Sequence, residues 1–207
     1  MTQRAADQPA GTTAPEADAE SLSTRSALLD AAEQVMLEDG YAAVSSRRLA
    51  SRAGVNAALV YYYFGTMDNL FVELFRRGSE RSYRRLLGTV DAEQPLWTLW
   101  EAVHDQSSTA LTMEFVSMAT HRPSIRDEIA QSSKRFRALQ LDIVTRALTG
   151  HEPGDWTPVT LVMLMSSVSR FLRMEESFGI ETGHAEIISV VENFLRETEG
   201  ERRHAGE

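Results

Sequence analysis

Five histidines, at 104, 121, 151, 184 and 204, are the side chains most able to hold a metal or shuttle a proton. No two of them share a metal-ligand spacing such as HExxH. The chain has no cysteine, which excludes disulfides, thiolate metal sites and cysteine nucleophiles. Neither a glycine-rich phosphate loop nor a GxSxG elbow occurs. Glu175-Glu176 is the nearest thing to a catalytic carboxylate pair. Adjacent helical residues point about 100° apart, so the pair reads as a solvated helix end. No enzyme, metal site or cofactor is expected. What remains is Arg47 with the tyrosines at 61, 62 and 63. Arginine can reach a phosphate or a guanine edge, and tyrosine hydroxyls bond phosphates. That is nucleic-acid chemistry.

The elements that must position these groups lie in SSRRLASRAGVNAALVYYYFGTMDNL, residues 45–70. Ser45 suits the N-cap of a short helix whose inward face carries Leu49, Ala50 and Ala53. Gly54 suits the left-handed residue that ends it. Asn56 is placed to cap the next helix, in which Val60 and Phe64 lie four apart and face inward together. Gly65-Thr66 breaks that helix, and Thr66 can cap the one after. Two short helices around a glycine turn are the layout of a helix-turn-helix, whose second helix enters the major groove. Ala57 and Ala58 are small enough for close approach to the groove floor, and an alanine can touch a thymine methyl. Leu59, Tyr62 and Tyr63 are expected to face outward. Tyr61 and Phe64 read as partly structural, and Arg48 and Arg52 as a solvated face.

The stretch resembles the DNA-binding segment of TetR-type transcriptional regulators. The resemblance rests on Ser45, Leu49-Ala50, Ala53-Gly54-Val55, Asn56, Val60-Tyr61, Tyr63-Phe64, Thr66 and Leu70. It reaches back to Gly40-Tyr41 and forward to about Arg85. It implies DNA contacts at Ser45, Arg47, Asn56, Ala57, Ala58, Tyr61, Tyr62, Tyr63 and Thr66. Met67 stands where the family usually has a phosphate-binding lysine. The resemblance also implies repression as the default output, and a dimer built from the last two helices. A two-fold dimer suits a palindromic operator, which needs two recognition helices about 34–36 Å apart.

The net charge of −9 is unevenly spread. Residues 1–21 carry one base and four acids; 22–85 carry nine bases and seven acids; 86–207 carry eleven bases and nineteen acids. The expected organisation is therefore a disordered tail over 1–21, a mildly basic DNA-binding head with a linking helix over 22–85, and an acidic body over 86–207. No apolar run is long enough to cross a bilayer, and a cytoplasmic protein is expected.

The fold class expected is all-α. The first helix starts at Ser23 or Thr24 and buries Ala27, Leu28, Ala31, Ala32, Val35 and Met36. Helices follow over 67–85, 96–108, 109–120, 124–148, 157–178 and 184–198, with a loop at 149–156. The last two carry enough apolar surface to be covered on two sides, and Ser166, Ser167 and Ser169 permit close helix contact. Trp97, Trp100, Met113, Phe115, Met118, Phe136, Met163, Phe171 and Met174 could line a pocket, with His104 as a polar anchor; methionine suits an adaptable wall. His121, Arg170 and Arg173 are further candidate anchors. Each large side chain could equally be ordinary core. The expected effector is an apolar small molecule, and the alternative reading is a helical ligand-binding or scaffold protein with no operator.

Overall fold

A computed structural model describes residues 14–104, 109–150 and 156–203. Among these every regular element is helical: α1 (Ala14–Asp39), a 3-10 turn (Tyr41–Ala43), α2 (Ser46–Ala53), α3 (Ala58–Phe64), α4 (Met67–Leu87), α5 (Pro95–His104), α6 (Thr109–Ala119), α7 (Pro123–Ala147), α8 (Pro158–Glu176) and α9 (His184–Glu199). No helix among the described residues is long and apolar enough to cross a membrane. The chain forms two compact units, Met1–Leu74 and Phe75–Glu207, and the division falls inside α4 rather than after Arg85.

In the first unit, α1 buries Leu28, Leu29, Ala31, Ala32, Val35 and Met36. Leu49 and Ala50 of α2, Val60 and Phe64 of α3, and Leu70, Phe71 and Leu74 of α4 complete that core. Arg25 pairs with Glu73 and lies 5.4 Å above the Phe64 ring, tying α1 to α3 and α4. The helix begins at Ala14, so residues 14–21 of the expected disordered tail are helical. Alanines at 14, 17 and 19 favour helix. Residues 1–13 lie outside the described residues.

In the second unit, the continuation of α4 packs on α6 and α7. Phe75 meets Phe115 edge-on at 5.2 Å, Tyr83 meets Phe136 at 5.5 Å, and Arg76 pairs with Glu128. The main core gathers Leu96, Trp97, Leu99 and Trp100 of α5, Ile143 and Val144 of α7, Leu161, Val162 and Met165 of α8, and Val191 and Leu195 of α9. In α6 the inward face carries Leu111, Phe115 and Met118; Val116 and the candidate pocket residue Met113 point outward. The three buried residues recur at four and three, whereas Met113 sits about 160–200° from Phe115 and from Leu111 around the helix.

The end of α9 is fastened to the start of α5. The Glu199 carboxylate accepts the Leu96 N–H at 2.9 Å and the Trp97 N–H at 3.1 Å, filling donors that a helix N-terminus leaves free. The Trp97 indole N–H donates to the Gly200 carbonyl at 3.0 Å. Buried Gln94 donates to the Glu201 carbonyl at 2.8 Å and accepts from the Arg203 N–H at 2.7 Å. Glu199→Ala strands two amide donors and is expected to cost about 1–3 kcal/mol, read as a lower urea midpoint at unchanged slope.

Candidate nucleic-acid interface

Three short polar contacts set the path of residues 45–70. The Ser45 hydroxyl accepts the Arg48 N–H at 3.4 Å and opens α2. Gly54 closes it in the left-handed region, φ 68° and ψ 30°, where a Cβ would be strained. The Asn56 carbonyl oxygen Oδ1 accepts the Ala58 N–H at 2.8 Å and opens α3. Thr66 Oγ1 then accepts the Asn69 N–H at 3.1 Å at the start of α4.

The rotation of α3 follows from its two buried residues. Val60 and Phe64 are 1% and 3% exposed. At about 100° per residue, their shared direction puts Tyr62 diametrically opposite. Tyr62 is accordingly 77% exposed and Tyr61 52%. Ala58, Tyr61, Tyr62 and Gly65 are the exposed positions, spaced by three, one and three. Leu59 and Tyr63 lie on the flanks and are half-buried, with Tyr63 edge-on to Tyr62 at 5.0 Å. The structure therefore corrects three orientations: Tyr61, read as partly structural, is exposed, and Leu59 and Tyr63 face outward only in part.

Ser45, Arg47, Asn56 and Thr66 are exposed, and Ala57 is half-buried at the α3 entry. Arg48 is paired with Asp39, and Arg52 Nη2 lies 2.6 Å from Glu38 Oε2. Arg47 has no partner among the described residues. Phosphate-facing charge is thus thinner than the sequence blocks suggested. The basic run Arg76, Arg77, Arg81, Arg84 and Arg85 belongs to the second unit. Residues 21–74 hold four arginines against six acids.

The candidate pocket residues do not converge. Trp97, Trp100 and His104 line a cleft of about 520 Å³ with Glu101, Glu192, Arg196, Glu201 and Arg202. Phe115 and Met118 are buried in core, and Phe136 is half-buried against Tyr83. Met113, Met163 and Phe171 are exposed at 38%, 40% and 54%, so these three line no enclosed space in the isolated chain. Met174 is half-buried near the end of α8. Of the further anchors, His121 and Arg170 are exposed. Arg173 donates to the His104 carbonyl at 2.8 Å and pairs with Glu176 at 2.6 Å. Glu192 and Arg196 were missed because α9 read only as an apolar stripe, and Glu101, Glu201 and Arg202 because they fall in no local pattern. No cluster of metal-ligating side chains occurs among the described residues.

His104 stacks on Trp100 at 4.7 Å, and its Nδ1 is buried without a partner. Burial first, and the Arg173 charge second, hold its pKa below the ordinary 6.5. The unfolded chain then takes up this proton at higher pH than the folded one, so acidification through the ordinary histidine range favours unfolding. The melting temperature of the wild type is expected to fall more steeply between about pH 7.5 and 5.5 than that of His104→Gln.

Residues 28–74 match the profile of bacterial regulatory proteins of the tetR family. No curated sequence matches the chain. Solved structures share its fold: a TetR transcription regulator from Haloarcula marismortui at 15% identity, covering 86% of this chain and 98% of that one with a TM-score of 0.68. NemR of E. coli in its reduced form gives 16%, 82%, 96% and 0.69. A transcriptional regulator from Saccharomonospora viridis in complex with choline gives 18%, 87%, 100% and 0.67.

Proposed function

Since residues 28–74 place this chain in the TetR family of bacterial DNA-binding transcriptional regulators, we propose that it is a cytoplasmic repressor that binds a palindromic operator as a homodimer and is released by a small molecule. The observation that carries this reading is the exposed α3 face, with Tyr62 opposite the buried Val60–Phe64 pair and Arg47 exposed on α2. An aromatic residue 77% open to water on a seven-residue helix adds nothing to the core. Against a duplex it offers a hydroxyl for phosphate and a ring for base edges or methyls. Ser45, Asn56, Ala57, Ala58, Tyr61, Tyr63 and Thr66 complete the proposed contact set.

The proposed dimer uses α8 and α9. Val159, Met163, Ser167 and Phe171 are exposed on α8 at four-residue spacing, and Val190 is 53% exposed on α9. Phe178 and Ile180, just beyond α8, are exposed at 68% and 44%. This stripe reverses the usual rule for solvent faces and suits an isologous interface, in which the same patch meets its copy. Ser167 in its middle permits close approach.

The proposed effector site is the cleft of Trp97, Trp100 and His104. An apolar part of the effector would cover the indoles, and the paired charges Glu101–Arg202 and Arg196–Glu201 at its border would orient a polar group. The choline-bound relative supports small-molecule binding by this fold. An effector that prefers the dimer state with wrongly spaced recognition helices weakens DNA binding, and DNA weakens effector binding by the same factor.

Two measurements test the reading. In Tyr62→Ala the melting temperature is expected to stay within a few degrees, since an exposed side chain is removed. Affinity for a duplex selected from a random pool is expected to drop at least about tenfold, or roughly 1.4 kcal/mol. Unchanged affinity would remove α3 from the interface. Separately, the wild type is expected to sediment as a dimer at micromolar concentration and Phe171→Glu to shift towards monomer. A monomeric wild type would refute the assembly.

A further inference from the structure

The last turn of α1 holds Glu38 and Asp39 and no base. Carboxylates there face the negative end of the helix dipole, which is locally unfavourable. Their side chains are about half exposed, and those of Arg48 and Arg52, which they bind, are 43% and 34% exposed. Exposed ion pairs of this kind contribute little to stability. Neither the helix nor the fold therefore needs acids at these positions. Their one clear effect is on the cations of α2: of Arg47, Arg48 and Arg52, two are neutralised by carboxylates and one is left free.

We infer that Glu38 and Asp39 are specificity-determining residues of the DNA-binding unit, which withhold Arg48 and Arg52 from phosphate and so suppress sequence-independent binding. Non-specific affinity comes almost wholly from phosphates neutralised by Arg or Lys, at a slope of about −0.9 in log K against log salt for each. With Met67 carrying no charge and Arg47 alone available on α2, a dimer neutralises roughly two phosphates through these helices and its slope is about −2. Releasing two more arginines per protomer would bring it to about −5. The carboxylates thus trade total affinity for dependence on the Ala58–Tyr61–Tyr62 face, which reads the site rather than the charge.

This inference rests on the operator-binding reading above. The test uses the full-length chain, a random-sequence duplex of about 30 base pairs and a duplex selected from a random pool, titrated across about 50–200 mM salt. Glu38→Gln/Asp39→Asn is expected to bind the random duplex at least about tenfold more tightly at low salt, with a slope near −5 against −2 for wild type. Adding Arg48→Ala/Arg52→Ala to that variant is expected to restore the wild-type slope. An unchanged slope in the first variant overturns the inference. So does a steep slope that persists without the two arginines, because the acids would then act by repulsion alone. A wild-type slope of −6 or steeper on the selected duplex also overturns it, while leaving operator binding intact. No binding to either duplex by wild type or variant overturns the operator reading itself, and this inference with it.

Discussion

The burial of Val60 and Phe64, one turn apart on a seven-residue helix, is the constraint on which the DNA-binding unit depends. Each side chain gains about 1.5–3 kcal/mol from leaving water, more than any cap or surface pair nearby. Two such anchors leave a short helix a single rotation. Everything exposed on α3 is then fixed by its angle from that pair, so the core of the unit and its outward face are one decision. The caps at Ser45, Asn56 and Thr66 contribute on a smaller scale and set where each helix begins.

That division explains what the sequence reveals and what it conceals. Glycine at 54 and capping side chains at 45, 56 and 66 have local meanings that hold in any fold, and the turn was legible from them. The inward pair on α3 was legible from its spacing. The angle of Tyr61 was not, because an aromatic residue adjacent to a core position serves equally well as core or surface until neighbouring helices are placed. Charge failed in the same way. Counting over 22–85 made the head basic, yet the compact unit ends at Leu74 and the five arginines from 76 to 85 lie beyond it. A charge count is only as good as the boundary drawn around it.

The second unit was legible as helices and illegible as a site. Methionine and aromatic side chains identify helices with something to bury, but not which of them converge. Phe115 and Met118 went into core, Met113 and Phe171 to the surface, and only Trp97, Trp100 and His104 came to one cleft. The cleft is completed by Glu192, Arg196, Glu201 and Arg202, brought there by bonds at 94–97 and 199–203 that span about a hundred residues. Such contacts leave no local pattern. Glu199 as a cap for α5 violates every short-range rule for caps, because the residue comes from the far end of the chain.

A lean recognition unit also changes what the proposed dimer would have to supply. In the proposed contact set, one α3 face with Arg47 beside it, the α2 arginine without a partner among the described residues, would offer few phosphate contacts, so a single head would hold a duplex weakly. Joining two heads makes the second contact intramolecular, and the gain is set by effective concentration rather than by added charge. That gain is lost whenever the spacing between heads is wrong for the site. Dense basic charge would blunt this dependence, since a strongly cationic head stays bound whatever the spacing. A protein whose switch works by spacing is therefore better served by heads with little excess charge. Under the proposed assembly, the apolar stripe of α8 and the paired arginines of α2 would answer the same physical requirement.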